Sequence, residues 1–145
     1  MDPRQIVLNW LKHVRRPRKE LGGMSICPFA KLPNIIVVDT INESCFEDLT
    51  DEITVYVESA VNSTFEQLDA IARKQNEINP THVFLPDHPH KKNYINGIET
   101  GNGHLPLIIA QTRRELAEAR DEISKTDYYD YWDEKYLAEI RSYGN

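Results

Sequence analysis

Cysteine is scarce in this chain. Cys27 and Cys45 are the only two in 145 residues, too few for a disulfide-stapled scaffold. A single bridge would suit a secreted fold, but no export signal is read. Asp2, Arg4 and Gln5 stand where a signal peptide needs an apolar core. Two free thiols and a cytoplasmic setting are therefore expected. Long apolar runs are absent as well. The longest, Leu105 to Ala110, falls far short of the roughly 20 residues that cross a bilayer. There is no low-complexity stretch and no internal repeat, which sets aside disordered and solenoid classes. Basic charge is in deficit: the formal net charge is −6. An acidic balance argues against broad nucleic-acid binding, because phosphate-backbone affinity needs a basic surface.

What is present suits one domain. Hydrophobic residues make up 40% and charged residues 28%, within the globular range. A chain of this size buries roughly 70% of its unfolded surface, enough for one core. The charge is uneven. Residues 1–33 carry seven Lys/Arg against Asp2 and Glu20, a net of +5, and residues 34–145 carry ten basic and twenty-one acidic residues, a net of −11. The basic run Arg15-Arg16-Pro17-Arg18-Lys19 reads first as a solvated helix end, where cations complement the dipole, and second as an anion contact.

The patterning alternates helices and strands. Ile6, Val7, Trp10, Leu11 and Val14 form one stripe, so 3–15 is read as a helix, with Asp2 as N-cap and Pro3 at its first position. Ile35-Ile36-Val37-Val38 reads as a buried strand. Ser44 to Asp51 reads as a short helix. Residues 53–58 fit a helical stripe or an alternating strand, and strand is chosen for their β-branched content. Asn62-Ser63-Thr64, with Glu66 or Gln67 three residues on, opens a helix that Asn79-Pro80 stops. Thr81 to Leu85 is a third strand. A polar loop then runs over 86–104, long enough to be mobile or functional and to hide a fourth strand. Helices are expected from about Pro106 to Ser124 and from about Asp130 to Arg141. The fold class expected is α/β (or α+β), a single small domain over 1–145 with at least three strands and four to five helices.

Candidate chemistry gathers in two places. The long loop holds His88, His90 and His104. His88 and His90 are two apart, so in extended chain they point to one side. With Cys27 they form a candidate ligand set for a divalent metal such as zinc, against the plainer reading of a surface loop. Cys27 is alternatively a reactive thiol or a small packed residue. Gly101-Asn102-Gly103, placed before an expected helix, is a candidate anion or carbonyl-oxygen cradle, against a plain turn. Arg113 falls on an apolar stripe, an odd place for a charge. The aromatic tail from Tyr128 to Trp132 reads as core packing.

These segments resemble a bacterial domain-of-unknown-function family. Its members open with a W-L helix and a loop containing L-C-P-F-A-K. They carry H-P after a later strand, then G-N, a proline and an L-L-R-E helix. The matching pieces are Trp10-Leu11, Ile26-Cys27-Pro28-Phe29-Ala30-Lys31, His88-Pro89, Gly101-Asn102, and Pro106 with Arg114-Glu115. The family's Arg-Ser-Pro-like run is Gly103-His104-Leu105 here. The resemblance marks positions and implies no reaction.

The function expected is an enzyme acting on an anionic or carbonyl-bearing small molecule. Cys27 would be its nucleophile or metal ligand, His88 its general base or a metal ligand, and Asn102 its oxygen-holding group. Gly101, Gly103, His104 and Arg114 would bind ligand. The alternative is a non-catalytic adaptor that holds a protein partner through the basic N-terminal helix or the aromatic tail.

Overall fold

The computed structural model describes residues 2–27 and 31–143. Pro28-Phe29-Ala30 of the cysteine segment lie outside the described residues. Helix α1 (Pro3–Arg15) starts as expected: the Asp2 carboxylate accepts from the Arg4 N–H at 3.0 Å, with proline in the first turn. Strand β1 (Asn34–Val38) leads through a 3₁₀ turn over Glu43–Phe46 to β2 (Thr54–Glu58). The short helix expected over 44–51 is therefore only that turn. Helix α2 (Phe65–Ile78) opens with a reciprocal capping box between Thr64 and Gln67. Strand β3 (His82–Asp87), the small hairpin β4 (Tyr94–Ile95) and β5 (Ile98–Glu99), and strand β6 (Leu107–Thr112) follow. Helices α3 (Arg113–Ser124) and α4 (Glu134–Arg141), with a 3₁₀ turn over Tyr128–Tyr131 between them, complete a small α/β domain.

The main sheet has the order β1-β2-β6-β3. β1 runs parallel to β2, and β6 is antiparallel to both β2 and β3. Side chains alternate across a strand, so the sheet has two distinct faces. Val55, Val57 and Leu107 pack with Ile6, Val7 and Leu11 of α1. Tyr56, Phe84, Ile108 and Ala110 pack with Leu68 and Ala72 of α2. Each fully buried aliphatic side chain here contributes on the order of 1.5–3 kcal/mol.

Three expectations are corrected. The apolar run ending at Ala110 is not the start of a helix: it is β6, a central strand covered on both faces. A short continuous apolar run carries no period that separates buried strand from buried helix. The fourth strand of the sheet is therefore this segment, and the 86–104 loop instead hides the hairpin. At its tip Asn96 and Gly97 both have positive φ, 47° and 84°, as a tight two-residue turn requires. The run at 35–38 is an edge strand, with Ile36 43% and Val37 37% exposed. Pro86 sits within β3, opposite Ile108, which the other edge of the sheet tolerates.

Arg113 finds its partners at the end of α2. Its guanidinium donates to the carbonyls of Asn76 at 2.7 Å and Asn79 at 3.0 Å, a cation on a helix C-terminus. Among the described residues, no helix is long and apolar enough to cross a membrane.

Candidate functional site

A cavity of about 250 Å³ opens on the α1 face of the sheet. Its walls are mostly apolar: Trp10 and Val14 from α1, Val55 and Ile109 from the sheet, Trp132 and Tyr136 from the C-terminal segment. The Trp132 and Tyr136 rings stack, with centroids 5.3 Å apart and planes inclined by 12°. The volume lies just under the roughly 300–1,000 Å³ of small-molecule pockets.

Asp87, the last residue of β3, lines this cavity. One of its oxygens, Oδ2, accepts from the backbone N–H of Asn102 at 3.0 Å and from the side-chain amide at 2.6 Å. Gly101 is needed beside it, since a Cβ there would fall 2.5 Å from Oδ1. Burial pushes the Asp87 carboxyl above the ordinary carboxylate range. The Asn102 bonds oppose the rise, the Glu99 charge adds to it, and His88 opposes it. Next to it, the Tyr136 hydroxyl meets Thr100 Oγ1 at 3.0 Å, and Trp10 Nε1 donates to the Thr100 carbonyl at 2.8 Å. Burial, above all, pushes the Tyr136 phenol up to about 12, so it stays protonated at neutral pH.

Cys27 and Lys31 also line the cavity. Cys27 is exposed, and its backbone N–H is fixed to the Val14 carbonyl at 2.9 Å. Lys31 stands 3.9 Å from the Glu115 carboxylate in a largely solvated pair. Cys45 is a free thiol.

His88 lies elsewhere. It follows Asp87 directly, and successive strand residues point to opposite faces. Its side chain, 3% exposed, lines a second cavity at the start of α2 with Thr64, Phe65 and His90. Its Nε2–H donates to the Ser63 carbonyl at 2.6 Å, and Nδ1 accepts from the His90 N–H at 3.0 Å. Both ring nitrogens are thus occupied. Cys27, His88 and His90 are not brought together, and no group of three or more His, Cys, Asp or Glu among the described residues is placed to hold a metal ion.

The Gly101–Gly103 turn is not followed by a helix but by β6, so it offers no helix N-terminus to an anion. The anion held by the Asn102 N–H is the protein's own Asp87. Asn102 Oδ1 accepts from the N–H groups of His104 and Leu105, at 2.9 and 2.8 Å, and its amide also donates to the Leu105 carbonyl at 2.9 Å. Gly103 takes φ 74°, which favours glycine. His104 is exposed beside a third cavity with His13 and Trp10. The Arg114 side chain is 88% exposed and pairs with Glu118, away from the cavity.

No family model, curated protein or solved structure matches this chain. What it does is therefore read from its own geometry. Of the residues singled out in the sequence, Cys27 and Gly101 line the cavity and Asn102 supports it from behind. Asp87, Thr100 and Tyr136 were not singled out as site residues, and Trp10 was marked only by the helix stripe and the resemblance. The signal for Asp87 was an acid closing a β-rich run at the end of a strand, where α/β sheets collect their ligands.

Proposed function

We propose that this chain is an enzyme acting on small carbonyl compounds with an apolar body, in the cavity between α1, the sheet and α4. Cys27 is the thiol nucleophile and Asp87 the acid–base group. The observation that carries this reading is that one mostly apolar hollow is lined by both an exposed thiol and a carboxyl whose pKa burial raises. Perturbed titratable groups in a cleft are the usual mark of such chemistry. In the step envisaged, the Cys27 sulfur bonds to the carbonyl carbon. The π pair moves to oxygen, which takes the proton of the Asp87 carboxylic acid, and the thiol proton returns to the Asp87 carboxylate. The product is a hemithioacetal, with atoms and charge conserved. Asn102 positions Asp87, and the Trp10, Val14 and Trp132 walls keep water out. A cytoplasmic setting suits a mechanism that depends on a reduced thiol.

The test uses a convenience of the chain: it has two tryptophans, and both line this cavity. Aromatic and alkyl aldehydes are titrated against tryptophan emission, and their chloromethyl ketone analogues are followed by intact mass. Saturable quenching and a single adduct on Cys27 are expected. The adduct is absent in Cys27→Ser, and its formation is slower by roughly 100-fold in Asp87→Asn, the usual scale of acid–base assistance. Non-saturating quenching, or labelling shared equally with Cys45, overturns the reading.

A further inference from the structure

Along α1, bordering the Asp87 cavity at Leu11, lies a larger open groove of about 680 Å³. Leu8 and Leu11 of α1 and Leu32 form its floor, and Lys12, Arg15 and Arg16 stand along it. Leu32 is 73% exposed, the most exposed large apolar side chain among the described residues. It leads directly into β1, whose outer edge has no neighbouring strand among the described residues and whose Ile36 and Val37 are also open to solvent. Exposed apolar residues next to an unpaired edge are a surface that a monomer has reason to cover.

The charges say what covers it. Lys31, Arg73, Lys74, Lys91, Arg114 and Lys125 all reach a carboxylate. Lys12, Arg15 and Arg16 make no ion pair with any described residue, as is true of several other cations; what sets these three apart is that they line one groove together. They form a positive rim on a chain whose remainder is strongly acidic. The helix dipole accounts for cations in the last turn of α1, but not for Leu32 left open beside them. A positive rim around an apolar floor is complementary to one kind of partner surface.

We propose that this groove is a docking site for an acidic segment of a partner protein, whose apolar side chains seat on Leu8 and Leu32 while its carboxylates meet Lys12, Arg15 and Arg16. The site borders the Asp87 cavity at Leu11 but does not depend on its chemistry.

The experiment is a display selection of short random peptides on the full chain, with affinities of the enriched peptides measured by fluorescence anisotropy. Enriched peptides are expected to interleave Asp or Glu with Leu, Ile or Phe. Their affinity should fall about tenfold or more in the Arg15→Glu, Arg16→Glu double variant and in Leu32→Glu, with unchanged melting curves. It should also fall as salt rises, since rim charges act mainly through screened, long-range attraction. Cys27→Ser should bind as the parent does. No enrichment, enrichment of non-acidic peptides, or equal binding by the groove variants overturns the proposal. So does a finding that the chain instead self-associates through this face, or binds phosphatidylserine vesicles in a way those variants abolish while the peptides fail to bind.

Discussion

Asn102 holds the Asp87 carboxylate twice, through its backbone N–H at 3.0 Å and its side-chain amide at 2.6 Å, both to Oδ2. The arrangement fixes one oxygen and leaves Oδ1 against Gly101, on the cavity side. Two donors on an acid usually lower its pKa, yet burial outweighs them here and the balance is upward. The acid is thereby oriented without being locked into its charged form, which is what a group that gives up and regains a proton requires.

Stability should carry the mark of this acid. Because Asp87 holds its proton more tightly in the folded chain than in the unfolded one, its contribution is fully present below the unfolded pKa, about 4. It is lost as pH rises through the folded value. The Asp87→Asn variant removes that dependence while keeping a group that can accept from the Asn102 N–H. The melting temperature of the parent minus that of the variant should therefore be most favourable to the parent near pH 4 and decline toward neutrality. Thermal melts at several pH values check this, and a difference that grows with pH contradicts it.

Asn102→Ala removes four hydrogen bonds at once, two given and two received by the side chain. Partly buried backbone groups of Leu105 lose their partner, and Asp87 Oδ2 keeps only the backbone N–H of residue 102. The expected cost is about 2 kcal/mol, or several degrees of melting temperature at this chain length. Reactivity of Cys27 toward chloromethyl ketones should fall along with it, because Asp87 loses its orientation. Asn102→Asp should be worse at pH 7 than at pH 4, since it sets a second carboxylate against Asp87.

His88 was a natural choice for a general base, and its surroundings assign it other work. With Nε2–H on the Ser63 carbonyl and Nδ1 on the His90 N–H, it ties the loop after β3 to the start of α2. His88→Ala should cost about 2–4 kcal/mol, from lost buried hydrogen bonds and the space left behind. The rate of Cys27 alkylation should be unchanged at temperatures where the variant is folded. Zinc should leave the parent's melting curve where it is.

Local signals were legible where they were sufficient by themselves. Asp2-Pro3 and Thr64 to Gln67 are helix starts written in a few adjacent residues, and both were read correctly from the chain. The same kind of signal stood at Thr112, whose hydroxyl accepts from the Glu115 N–H. It was overlooked because the apolar run before it looked like the same helix. β6 is made by its neighbours: it enters the middle of the sheet between strands roughly fifty and twenty-five residues earlier, and nothing in its own sequence states that. The site divides in the same way. Cys27 and the Gly101-Asn102 turn stood out as unusual local chemistry. Asp87 became significant only when the sheet brought it under Trp10 and Tyr136. His88, its immediate neighbour, was carried to the opposite face by the alternation of a strand.

Glu58, at the end of β2, offers the sharpest separation of structure from chemistry. It is fully buried (0% exposed), and both of its oxygens accept hydrogen bonds. Oε1 accepts from the N–H groups of Asn62 at 3.1 Å and Ser63 at 2.9 Å; Oε2 accepts from the Ile41 N–H at 2.8 Å and the Ser63 hydroxyl at 2.5 Å. It thus ties the segment after β1 to the loop that leads into α2. A buried carboxylate survives when its lone pairs are all used. Glu58→Gln is nearly the same shape but exchanges one accepting oxygen for an NH₂ group. Oε1 can serve Asn62 and Ser63 as before, and the Ser63 hydroxyl can turn to accept. The Ile41 N–H then faces a donor and has no partner. An unpaired buried N–H together with lost charge-assisted bonds should cost about 3 kcal/mol, a fall in melting temperature of roughly 10 °C. In hydrogen exchange the Ile41 amide should lose protection first, because it loses its acceptor. Position 58 lies in register with Tyr56 on the α2 face of the sheet, so aldehyde quenching of Trp10 and Trp132 should be unaffected below the transition. A variant that keeps its stability while losing that quenching would make Glu58 part of the chemistry and would move the site to the other side of the sheet.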